Sequence, residues 1–268
     1  MQLEETLAEL GGISLIHPFY NDEKRLELQI ENWLTWDEAI CRMVDVTLID
    51  DHSDTPLKID REVWKRLRNK GLQVRIFRIE DNLKWNTPGA LNLGFTVAPK
   101  KWALTMDSDC FFDADNMRQL LITFRPRTDR IYKFKRKRYG TTEPKSWLEN
   151  NRWLPCTMLM SKEAFFRIGG FDEDFTGHYT GGYGMFDTYF DRCAKENGYR
   201  RAIVDGIIAG EWLPSLSGEP VFPNLIRNPS SERETFHINK RLMHEKVNSV
   251  DFINRKNKIL RFKWRQTR

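Results

Sequence analysis

One pattern constrains this chain more than any other. In its first 110 residues a short apolar run is followed by a stretch of helical spacing, and the pair recurs. Ile13-Ser14-Leu15-Ile16, Val46-Thr47-Leu48-Ile49, Leu72 to Ile79 and Trp102-Ala103-Leu104-Thr105-Met106 read as strands. Between the first two, Leu26, Ile30, Trp33 and Leu34 fall at i, i+4, i+7 and i+8, one face of a helix that Asn21 would cap. Residues 57–70 read as a charged surface helix stopped by Gly71, and Thr87-Pro88 opens a third helix through Ala90, Leu91 and Phe95. Near-continuous apolar strands joined by helices are covered on both faces, so a mostly parallel central sheet flanked by helices is predicted, an α/β fold.

The second half is less regular. Ile131–Arg138 and Cys156–Met160 read as strands, residues 185–197 as a helix, Ala202-Ile203-Val204 as a late strand and Leu213–Ser231 as a long loop. A helix is predicted from about Glu232 to Val247. Residues 226–268 carry twelve Lys and Arg against four Asp and Glu, while the remainder has 31 basic and 34 acidic residues. The expected organisation is therefore one domain over 1–225 and a basic helical tail over 226–268, packed on it or extending from it. No apolar run approaches the roughly 18 residues of a membrane span. The acidic N-terminus does not resemble a signal peptide, and four scattered cysteines exclude zinc ribbons and disulfide frameworks. A cytoplasmic protein with reduced thiols, peripheral to a membrane at most, is expected.

Two acidic clusters end predicted strands: Asp50-Asp51 and Asp107-Ser108-Asp109. Ligands of parallel sheets bind beyond the carboxyl ends of the strands, so both can face one crevice. Carboxylates crowded at a strand end repel unless a cation sits between them. Mg²⁺ or Mn²⁺, hard ions that prefer oxygen, would meet that need and bridge to a diphosphate.

An ordered series of motifs accompanies these acids. Pro18-Phe19-Tyr20-Asn21 comes first, then Ile49-Asp50-Asp51-His52-Ser53-Asp54, Ala90-Leu91-Asn92-Leu93-Gly94, Asp107-Ser108-Asp109 and Gly169-Gly170-Phe171-Asp172-Glu173. Over roughly residues 11–200 the series resembles the GT-A glycosyltransferases of family 2, with their P-x-Y-N, VDDGS-x-D, A-x-N-x-G, D-x-D and GGFDE pattern. The resemblance implies transfer of a sugar from a nucleoside-diphosphate sugar, UDP-sugar favoured, to a hydroxyl of a glycan or related polymer, with inversion. It implies that Pro18, Tyr20 and Asn21 lie against the base, that Asp50 and Asp51 read base and ribose, and that Asn92 flanks the donor pocket. Asp107 and Asp109 match the metal motif, Asp109 as the direct ligand and Asp107 nearer the ribose. His237 is the first candidate for a third ligand, with His178 and His244 as rivals. Asp187 matches the general base, while Phe186 stands where the family has a second acid.

GGFDE also reads as plain scaffold: a tight turn at Gly169-Gly170, Phe171 inward, and Asp172, Glu173 and Asp174 at the surface. The basic clusters at Lys133–Arg138 and Arg255–Arg265, the latter with Phe262 and Trp264, suit an anionic partner such as a membrane surface, nucleic acid or anionic glycan. Two other readings stay open on the sequence alone. One is a non-catalytic module of the same fold gripping an anionic partner through its tail. The other is a nucleotidyltransferase, although no Gly-rich phosphate loop follows the first strand.

Overall fold

The computed structural model describes residues 11–139, 157–182, 184–212, 229–252 and 256–268. The four predicted strands form as β1 (Ile13–Phe19), β2 (Val44–Asp50), β3 (Gln73–Ile79) and β4 (Trp102–Thr105). They are mutually parallel, with β1 between β4 and β2 and β3 beyond β2. Period-two alternation sends Leu15 and Leu104 to one face and Ile16 and Ala103 to the other. The first face packs on Trp33 and Trp36 and on Leu67; the second packs on Phe95, Phe165 and Phe190. Burial on both faces is why these strands read as unbroken apolar runs.

The helices are α1 (Glu23–Thr35), α2 (Glu38–Met43), α3 (Arg61–Asn69) and α4 (Thr87–Val97). Two of them start later than the sequence suggested. Asn21 does not cap α1: it adopts a left-handed conformation (φ 46°) and Asp22 takes the cap position. Asp60 starts α3, its side chain accepting from the backbone N–H of Glu62 and Val63.

Beyond β4 the sheet continues through β5 (Cys110–Phe111), α5 (Ala114–Thr123), β6 (Arg130–Tyr139), β7 (Met158–Ser161), α6 (Lys162–Ile168), a short α7 (Gly177–Thr180), α8 (Phe186–Glu196) and β8 (Arg200–Trp212). The chain then forms α9 (Pro229–Val247) and β9 (Trp264–Gln266), and the predicted loop before α9 lies mostly outside the described residues. The strand order is β5-β8-β6-β7-β4-β1-β2-β3-β9. β7 runs antiparallel to β4 and β6, and β5 and β9 are antiparallel edge strands, so the sheet is mixed around a parallel centre.

The basic tail departs from its expected form. Its C-terminal end docks as β9 antiparallel to β3, with Phe262 packed among Ile49, Phe77 and Leu93. Several of its cations pair with acids of the domain at or near the surface: Lys258 and Arg261 with Asp174, and Arg265 with Glu80. The acids of the 169–174 turn are also not surface groups. Asp172 and Glu173 are each only 1% exposed. Lys246 of α9, equally buried, lies 2.7 Å from Asp172 and 2.8 Å from Asp174. Glu173 accepts from Asn92 and from the backbone N–H of Leu260 and Arg261. The sequence showed a polar run, and only these distant donors make its burial tolerable.

Among the described residues no helix is long and apolar enough to cross a membrane, and the buried Cys41, Cys110 and Cys193 form no disulfide.

Removing one partner of a buried ion pair strands the other, at a cost of about 3–5 kcal/mol. Lys246→Ala is therefore expected to lower the unfolding free energy by about 3 kcal/mol, read as a reduced urea midpoint with an unchanged slope.

Candidate active site

At the carboxyl ends of β1, β2 and β4 the chain leaves a crevice of about 780 Å³. Its walls come from Pro18–Tyr20 at the end of β1, Asp51 after β2, the residues Asn82–Thr87 leading into α4, and Asp107–Asp109 after β4. Gly181 and Gly182 form one lip, and Thr235 of α9 closes the far side.

The Asp107-Ser108-Asp109 turn is held from beneath by α1. The Met106 N–H donates to the Ile16 carbonyl, and the Cys110 N–H to that of Asp107, which closes the turn. Gln29 donates to the Cys110 carbonyl, and Asn32 and Trp36 both donate to the carbonyl of Phe112. Arg25 reaches Ser108 Oγ and Asp22, each at 3.1 Å. Asp22 and Arg25 line the crevice, yet the sequence reading missed both because an Asp-x-x-Arg spacing at a helix start looks like ordinary capping.

The predicted site residues divide. Pro18, Tyr20, Asp51, Asp107 and Asp109 line the crevice. Asn21, Asp50, Asn92, Asp187 and His237 are not among its lining residues. Asp50 is fully committed elsewhere: Arg78 lies 2.5 Å from it, and the N–H groups of Ser53 and Leu57 donate to it. Asn92 is fully buried, donating to the Phe171 carbonyl and to Glu173 while accepting from the Phe171 N–H. Both were expected at the donor; in the structure their polar atoms are taken up by these partners. Asn21 pairs with Asp54 in both directions, its side-chain amide donating and its oxygen accepting. His237, His178 and His244 are exposed, and no group of three or more His, Cys, Asp or Glu side chains among the described residues could hold a metal. Asp187 sits in the first turn of α8, directly after the glycine lip, and Phe186 before it packs on Phe171 at 5.2 Å.

Backbone strain gathers here. Asn21, His52, Trp85 and Met185, four of the five described non-glycine residues with positive φ, all lie in the crevice loops or at the start of α8. Such conformations persist only where the surroundings enforce them.

The crevice is acidic in its own right. Asp22, Asp51, Asp107 and Asp109 face two bases, Arg25 and Lys84. Burial pushes the Asp22 carboxyl above its usual range, against the pull of Arg25. An anionic ligand entering this space meets net negative charge. Asp107 and Asp109 offer only oxygen donors, the set on which Mg²⁺ or Mn²⁺ sits when a ligand's phosphates complete the coordination. The donor set is therefore compatible with a divalent ion, which Asp107 and Asp109 would hold together with a ligand's phosphates.

Comparison with known proteins fits this geometry. The family model described as glycosyl transferase family 2 matches residues 14–206. The chain belongs to glycosyl transferase family 2. A search of curated protein sequences gives no match. Among solved structures, the S. aureus TarS fragment 1–349 in complex with UDP-GlcNAc aligns with a TM-score of 0.58 at 19% identity, covering 89% of this chain and 67% of that one. A mannosyltransferase from Pyrobaculum calidifontis in complex with GDP-Man and Mn²⁺ aligns at 0.53 and 16% identity, covering 76% and 58%. GalNAc-T7 with UDP, GalNAc and Mn²⁺ aligns at 0.56 and 12%, covering 76% and 44%. At these identities the likeness is one of fold, the GT-A fold. The chain spans about half to two thirds of these three relatives, and its own family match ends before α9 and the tail.

Next to the Asp107-Ser108-Asp109 turn lies a buried titratable group. His17 is fully buried, edge-on to Trp33, and burial pushes its imidazole down to about 4, with Asp109 opposing and Arg25 assisting. A base depressed on folding gives stability that is complete above its unfolded pKa and lost as pH falls through the folded one. Between pH 6.5 and about 4 His17 is thus expected to remove about 3 kcal/mol of stability. Urea unfolding across that window should show His17→Leu with a correspondingly shallower acid slope than the wild type.

Proposed function

We propose that this family 2 protein transfers a sugar from a nucleoside-diphosphate sugar, a UDP-sugar in the first instance, to an acceptor hydroxyl of a glycan or related polymer, with inversion and with a divalent ion at Asp107 and Asp109. The observation that carries the reading is the charge of the crevice, four carboxylates against two cations at the carboxyl edge of a parallel sheet. A diphosphate cannot enter such a site without a cation, and the Asp107–Asp109 turn supplies oxygen donors for one. When bound, the ion would balance the charge that develops on the departing diphosphate.

The chain's own residues do the rest. Tyr20, half exposed at the mouth, offers an aromatic face to a base. Asp51, held by a 2.9 Å hydrogen bond from Asn86, offers acceptor oxygens to ring N–H or sugar hydroxyls. Arg25 adds positive charge beside Ser108, where diphosphate charge would fall. Asp187 takes the proton of the acceptor hydroxyl as that oxygen bonds to the anomeric carbon and the nucleoside diphosphate leaves. Its support is its position in the first turn of α8 behind the Gly181–Gly182 lip, where the helix dipole favours the carboxylate. Asp50 and Asn92 are assigned to bracing, and His237 is left out of the ligand set.

Thermal stability with UDP or GDP, with and without Mn²⁺, tests the donor site. A ligand at 100 times its Kd stabilises by about 2.7 kcal/mol. One diphosphate should give a metal-dependent rise that Asp109→Asn abolishes, and no rise with either would overturn the reading. Asp187→Asn should keep that rise while its kcat falls about 10²- to 10⁴-fold; turnover at the wild-type rate would remove Asp187 from the mechanism.

A further inference from the structure

The 175–184 segment carries the crevice lip and leads into α8, yet the helix that holds it comes from outside the family match. Asn239 of α9 is completely buried. Its side-chain amide donates to the Phe175 carbonyl at 2.9 Å and to the Gly184 carbonyl at 3.0 Å. Its oxygen accepts from the Thr180 hydroxyl at 2.7 Å, a shorter reach than the 3.1 Å from that hydroxyl to the Thr176 carbonyl. The same hydroxyl accepts from the Gly182 N–H at 2.9 Å. Two carbonyls on one side and a hydroxyl on the other fix which end of the amide faces which, and both amide hydrogens are used. A Cβ at Gly182 would push against Asn239 Oδ1, so any larger residue there would have to displace the Asn239 side chain. Thr235, one turn earlier on α9, lines the crevice itself.

We infer that Asn239 is a positioning residue for the transfer step: through Thr180 and Gly184 it fixes the acceptor-side lip and the start of α8, and with it Asp187. The inference rests on the glycosyltransferase reading above. Asn239 bridges the two ends of the segment and its middle at once, so loss of the clasp frees Gly181, Gly182 and Gly184 together. Gly184 stands immediately before Met185, whose left-handed conformation (φ 70°) begins α8 two residues ahead of Asp187. Movement at Gly184 therefore reaches the proposed base directly, while the Asp107–Asp109 turn, held by α1, stays in place. A residue that merely supported the fold would change stability without separating turnover from donor binding.

Thr180→Val, Thr180→Ser and Asn239→Asp provide the test, because the first two touch the clasp only from its partly exposed side. Three quantities are measured in the full chain: amide exchange over 176–188, calorimetric affinity for UDP with Mn²⁺, and release of UDP from a panel of UDP-sugars with water as acceptor. Thr180→Val should exchange about tenfold faster over this segment and bind UDP within about twofold of wild type. Its kcat should fall about 10- to 100-fold at a donor KM within about twofold, the range that small misplacements cost. Thr180→Ser, which keeps the hydroxyl, should match the wild type, and Asn239→Asp, which turns a carboxylate on two carbonyl oxygens, should be worse than Thr180→Val. Unchanged exchange in Thr180→Val, or faster exchange with unchanged kcat, overturns the inference. If the wild type binds neither UDP nor GDP and turns over no donor, the function reading fails and the positioning role with it. The exchange rates of Thr180→Val and Thr180→Ser would then still report whether the clasp orders the lip.

Discussion

The structure hangs on one buried ionic node. Asp172, Glu173 and Asp174 follow the turn at Gly169-Gly170, and each is held by something far away in sequence: Asp172 and Asp174 by Lys246, Glu173 by Asn92 and by the backbone of Leu260 and Arg261. One polar run thereby joins α4, α9 and the C-terminal strand segment. Buried charges of this kind add little stability compared with apolar packing, but they tolerate only one arrangement. Burial pushes the Glu173 carboxyl up, against the hydrogen bonds from Asn92 and the tail. With the node formed, α9 lies where Thr235 can reach the crevice and Asn239 the lip, and the tail can run on to the free edge of β3.

The crevice depends on a second constraint, the repulsion among its own acids. Asp22 and Arg25 sit together beneath Ser108, with neutral His17 buried nearby, so the floor holds one cation against several carboxylates. That imbalance suits a site completed by a divalent ion and an anionic ligand, and the surrounding loops also carry strained backbone. Residues held at positive φ around the rim are places where stability has given way to geometry.

Much of this was legible in the sequence. Asp51, Asp107 and Asp109 were found because a parallel sheet puts strand ends at one edge, and period and composition locate strand ends well. Pro18 and Tyr20 came from the family resemblance alone, and both line the crevice. Asp50 and Asn92 were assigned to ligand contact because the sequence offers no means of telling a carboxylate that meets a ligand from one that meets Arg78 in the next strand. The acids at 172–174 read as surface groups in the sequence for a related reason: their partners lie some 70 to 90 residues away. Asp22, Arg25 and Asn239 went unnoticed because each looks ordinary in its local sequence.

The chain by itself determined the alternation of strand and helix, the parallel centre of the sheet, the edge at which chemistry gathers and the family to which it belongs. These follow from local periodicity and short motifs, which survive without knowledge of distant contacts. Only the tertiary structure decided which acids face the crevice and which are spent inside, that the basic tail becomes a strand instead of a free arm, and that α9 holds the lip. Each of those is a pairing between groups far apart in the chain, and a buried polar group declares its role only through the partner that satisfies it.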